Sequence, residues 1–111
     1  MEDKEIVKAT LDFIAKDFRL QKSTQIVSSD VASNLAEIRR QLVGKIEHLL
    51  DFDFEQLMSI LYRIDVDEQK VKEALRDHSP NETALILTEL VMERQLLKVK
   101  TRLQEKVSRP A

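Results

Sequence analysis

The chain has no cysteine and no tryptophan, and only one glycine and two prolines among its 111 residues. Lack of cysteine excludes disulfides, iron–sulfur clusters, thiolate zinc sites and cysteine nucleophiles together. One glycine leaves no phosphate-cradling loop, because such loops need several residues that tolerate positive φ. No apolar run approaches the ~20 residues of a membrane span. The opening Met-Glu-Asp-Lys-Glu has the wrong charge for a secretory leader. A cytoplasmic protein is expected, in which the glycosylation-like Asn81-Glu82-Thr83 stays unmodified.

What remains is 42% hydrophobic and 34% charged residues with few turn-formers, the make-up of a helix-rich chain. Its length suits one helical domain over 1–111. The first segment, about Glu2 to Leu20, places Ile6, Val7, Thr10, Leu11, Ile14 and Phe18 on one helical face. Residues 21–29 are polar and rich in Ser and Thr, and read as the loosest connection. A second helix is expected from about Asp30 to Leu50, with Leu35, Ile38, Leu42, Ile46 and Leu49 in register. Gly44 lies inside it, and close approach of a neighbouring helix is the expected reason.

Three further helices announce their starts. Asp53 with Gln56, Asp65 with Glu68, and Ser79-Pro80 with Glu82 each match a capping pattern. From Pro80 the apolar pattern runs to about Lys106, a helix of ~40 Å. The predicted fold is therefore all-α, an antiparallel bundle of four or five helices with a long C-terminal helix. Along that last helix the apolar set narrows to Met92, Leu96, Val99 and Leu103, spaced four, three and four. Such a seam suits one partner helix, either the first helix of this chain or a second copy in a twofold dimer.

Candidate chemistry is sparse. Asp51, Asp53 and Glu55, then Asp65, Asp67 and Glu68, could be read as divalent-metal ligands. Counted from Asp65 as a calcium loop, Lys70 replaces the required glycine and Arg76 the bidentate glutamate. Helix capping accounts better for both clusters. His48 and His78 belong to no metal motif, and His48 with Asp51 lacks a nucleophile or oxyanion donors. No catalytic, cofactor or metal site is expected, and an enzyme is not.

Net charge is −2, but its distribution is uneven. From Arg94 onward, Arg94, Lys98, Lys100, Arg102, Lys106 and Arg109 face only Glu105, a net of +5 that leaves −7 before Arg94. This basic end, 94–111, could bind phosphates with strongly salt-dependent affinity. Equally, cations belong at a helix carboxyl end, and no aromatic residue there offers base stacking. A helix-turn-helix over Asp53 to Met92 is excluded, because its recognition helix would present Glu82 and Glu89 and no cation.

Leu61-Tyr62-Arg63-Ile64-Asp65-Val66-Asp67-Glu68 and Glu93-Arg94-Gln95-Leu96-Leu97-Lys98-Val99-Lys100-Thr101-Arg102 together resemble small bacterial all-helical proteins. Those proteins share an LYRID-type segment and an ERQ-type C-terminal helix. The resemblance covers the second half of the chain and carries no activity with it. It singles out Tyr62, Arg63 and Asp65, for which an arginine–aspartate pair across the turn is the plain expectation. The leading expectation is a non-enzymatic protein–protein interaction module, a homodimer through Met92, Leu96, Val99 and Leu103. The alternative is a nucleic-acid- or ribosome-associated factor using Arg94, Lys98, Lys100, Arg102 and Lys106.

Overall fold

A computed structural model describes residues 3–20, 31–76 and 78–108. The described residues form five helices: α1 (Asp3–Phe18), α2 (Val31–Phe52), α3 (Phe54–Ile64), α4 (Glu68–Leu75) and α5 (Pro80–Ser108). Residues 21–29, expected to be the loosest connection, lie outside the described residues. The protein is an all-helical bundle with a long C-terminal helix. No described helix is long and apolar enough to cross a membrane.

Cross-helix contacts fix the helix directions. Glu47 accepts from Asn81 at 3.4 Å and Glu89 pairs with Arg39 at 2.7 Å, so α2 and α5 run in opposite senses. From Asp53, α3 turns back toward Arg94, which pairs with Asp65 at 3.2 Å. Helix α4 reverses again, and its Ala74 carbonyl accepts from the buried Thr83 hydroxyl at 3.0 Å. Helix α1 lies antiparallel to the second half of α5, where Gln95 donates to Asp17 and the Arg102 guanidinium covers the Phe13 ring at 5.3 Å.

The core follows the apolar registers. Leu11, Ile14 and Phe18 of α1 meet Ile38, Leu42, Ile46 and Leu49 of α2, with Ala84, Leu87 and Val91 of α5 among them. Leu57, Ile60, Leu61 and Ile64 bring α3 into the same cluster. Thr88 is fully buried and satisfies its hydroxyl on the Ala84 carbonyl at 2.7 Å, so it costs the core no unpaired donor.

Helix ends compensate for the scarcity of glycine. At the end of α3, Asp65 N–H donates to the Tyr62 carbonyl and Val66 N–H to that of Leu61, at 3.0 and 3.1 Å. This is a Schellman closure with Asp65 in the left-handed region at φ 69°. Buried Val66 and Leu61 supply the apolar contact that accompanies it. Helix α1 ends in the same way, with Arg19 at φ 53° and Leu20 N–H on the Ala15 carbonyl at 2.9 Å. Asp and Arg thus occupy positions that glycine usually fills.

Two expectations need correction. Asp65 closes α3 rather than opening α4; Asp67 is the cap of α4, accepting from the amides of Gln69 and Lys70. No atom of a neighbouring helix lies within 4 Å of where a β-carbon on Gly44 would stand, and Gly44 is exposed, so no helix approaches there. Its backbone is right-handed. Asp53 accepts from the Gln56 amide at 3.2 Å as the capping pattern predicts.

Ser79 caps α5 reciprocally. The Glu82 amide donates to Ser79 Oγ at 3.2 Å, and the hydroxyl donates to Glu82 Oε1 at 3.0 Å. That hydroxyl, with help from the Ser79 backbone and His78, holds the Glu82 carboxyl below its ordinary value of 4.5.

Two outcomes follow from these local geometries. Gly44→Ala should raise stability by about 0.5–1 kcal/mol in urea titration, since alanine gains helix propensity and meets nothing. The depressed Glu82 pKa stabilises the fold above the ordinary, unfolded glutamate value, and this contribution disappears as pH falls through the folded value. Melting temperature should therefore fall between about pH 5 and pH 3, and less steeply in Glu82→Gln.

Candidate functional sites

The residues singled out in the last helix divide between two faces. Met92 and Val99 are buried, Leu96 is half-buried and Leu97 is exposed. Val99 lies between Gln95 and Arg102, the two residues that fasten α5 to α1 through Asp17 and Phe13. Met92 and Val99 of the seam are thus covered within the chain, with α1 alongside. A partner using it would have to displace that helix. The side chains of Leu103 and Lys106 lie outside the described residues.

The cations form a row on another side of α5. Arg94, Lys98 and Arg102 recur every fourth residue, about 6 Å apart along the axis. Lys98 and Arg102 line two hollows at once. One, of about 170 Å³, is closed by Phe13 and Asp17 of α1 and by Arg63 and Ile64 of α3, with Gln95. The other, about 460 Å³ and open, runs over Arg94, Leu97 and Thr101. Arg63, not part of the predicted phosphate-binding set, therefore joins the row from a second helix. Lys100 is exposed but lines neither hollow.

Asp65 pairs with Arg94, not with Arg63 as the turn alone would suggest. The two segments that carry the resemblance thus touch through this ion pair. Arg94 Nε is buried without a hydrogen-bond partner.

A third feature lies between α3 and α4. Phe54, Met58 and Tyr62 recur at four-residue steps along α3. Tyr62 is 79% exposed and Phe54 45%. Beside them is an apolar groove of about 210 Å³, whose walls include Leu61, Val66, Val71 and Leu75. Glu68 and Lys72, one turn apart on α4, also border it. Sequence reasoning marked Tyr62 but not the groove, because only the reversal at Asp65 and Val66 brings Val71 and Leu75 alongside α3.

The other candidate chemistry does not assemble. Among the described residues, no three His, Asp or Glu side chains are grouped to hold one metal ion. His48 is exposed with its ring 4.9 Å from that of Phe52. His78 Nδ1 lies 3.6 Å from Glu82 Oε2 at the start of α5.

The two faces of α5 should respond differently to charge. Val99→Asp puts a carboxylate into a buried position and should destabilise the chain by more than about 2 kcal/mol in urea titration. Leu97→Asp, on the open side two residues away, should change stability by about 0.5 kcal/mol or less.

No protein-family model, curated protein or solved structure matches the chain.

Proposed function

We propose that this chain is a non-enzymatic protein–protein interaction module that pairs with a second copy of itself through the α3–α4 face. The observation that supports this most is the exposure of Phe54 and Tyr62, with half-buried Met58 between them, beside the apolar groove. Apolar surface left open next to a groove, with charges at its edge, is the make-up of a protein-binding patch.

The choice of a second copy rests on self-complementarity. A twofold interface brings the same patch against itself, so it needs a projection, a hollow and balanced charge on one surface. Tyr62 is the projection and the groove is the hollow. With two α4 helices antiparallel across the axis, Glu68 of each copy faces Lys72 of the other. The Met92–Val99 seam is not used, since both residues are covered within the chain.

Light scattering should give about twice the 12.9 kDa chain mass at ~100 μM. Tyr62→Glu should return the monomer mass with unchanged helical circular dichroism, because the side chain is exposed. A monomer mass at that concentration, or a dimer that survives Tyr62→Glu, would overturn the assignment.

A further inference from the structure

The geometry points to a binding track for the phosphodiester backbone of single-stranded nucleic acid, laid along Arg94, Lys98 and Arg102 and anchored at Arg63. The inference is independent of self-association. It rests on the meeting of cations from two helices around two hollows that share Lys98 and Arg102, which the basic composition of α5 does not by itself provide.

The smaller hollow is the anchor. Arg63 arrives from the last turn of α3, and Lys98 and Arg102 from successive turns of α5. Against these three cations stands one carboxylate, Asp17, which already accepts from Gln95. The balance at the hollow is therefore positive. Stacking against Phe13 restrains the Arg102 guanidinium in advance, so less side-chain freedom is lost when it meets an anion. A guanidinium presents several N–H groups in a fixed fork, the geometry suited to phosphate oxygens.

The larger hollow extends the anchor into a track. Because Lys98 and Arg102 line both hollows, an anion held in the first continues directly over Thr101 and Leu97 toward Arg94. Arg94 is partly neutralised by Asp65, so it marks the end of the track, and Arg63, Lys98 and Arg102 carry its charge. Cations repeating every ~6 Å along an open surface fit a polymer of phosphates better than one compact anion. The smaller hollow alone, about 170 Å³, is below the usual size of a small-molecule pocket. Recognition would be of the backbone and insensitive to base, since the lining offers no open aromatic face for stacking.

The test is fluorescence anisotropy with a labelled oligouridylate of about 12 nucleotides, titrated between about 25 and 200 mM salt. Binding at low salt is expected, with log affinity falling against log salt at a slope of about −2 for three neutralised phosphates. Arg63→Gln with Lys98→Gln should weaken binding at least tenfold at low salt and make the slope shallower by about 1.4. Lys45→Gln with Lys70→Gln, an equal charge change on α2 and α4, should leave both quantities near those of the unaltered chain. Equal weakening by the two pairs would assign binding to bulk charge and overturn the track. So would absence of binding at the lowest salt. Inorganic pyrophosphate that binds where the oligonucleotide does not would make the hollow a small-anion site instead. Preference for vesicles containing anionic lipid over the oligonucleotide would equally reject the assignment. Circular dichroism melts of both double variants check that each is folded.

Discussion

The covered length of α5 between Ala84 and Val99 is the constraint on which the remaining structure depends. Ala84, Leu87, Thr88, Val91, Met92, Gln95 and Val99 are all buried, although the same helix also carries the exposed Glu82, Glu89, Glu93, Lys100 and Arg102. That surface is too broad for one neighbouring helix. Helix α2 and the short α3 and α4 pack along its first part, and α1 along its second. Among the described residues, every polar tie between distant helices, from Asn81–Glu47 to Gln95–Asp17, sits beside this covered surface and fixes which residue meets which. Burying apolar area sets the stability, whereas these ties set the alignment.

The elements themselves were legible because their signals are local. Ser79-Pro80 and Asp53 announce helix starts through the side-chain oxygen needed to satisfy free amides, and both caps form. The errors arise where two local readings are chemically equivalent. Asp65 and Asp67 both precede an acidic residue and a helical register, and only the backbone shows that Asp65 is left-handed while Asp67 caps. Gly44 invited an explanation by close packing, yet it faces open space. Nothing in the structure accounts for a glycine there.

The candidate surfaces were legible only in part, for a different reason. A four-three-four apolar spacing shows that a helix wants a partner but not whose helix that partner is. Asp17 and Phe13, far away in sequence, supply the answer by fastening α1 there. Likewise Tyr62 and Arg63 are adjacent in sequence but about 100° apart around α3. One borders the apolar groove and the other a basic hollow. Composition along α5 revealed the cations, whereas the contribution of Arg63 needed the reversal of chain direction at Asp65.

The attachment of α1 has a kinetic and energetic meaning. Thr83 reaches Ala74 across nine residues and Arg94 reaches Asp65 across 29, whereas Gln95 reaches Asp17 across 78. Closing the longer loop costs only about 1–2 kcal/mol more chain entropy than closing the shorter ones. That increment nevertheless falls on α1, which meets α2 through its apolar face but is tied to α5 across most of the chain. The hairpin-like succession α2–α3–α4–α5 is the topologically local half of the fold, and α1 is the strap that joins it from a distance. Local opening of that strap uncovers Val99 and the flank of Leu96. The same apolar seam that closes one chain is then chemically equivalent to an acceptor for the α1 of another, which is the condition for exchanging that helix between copies.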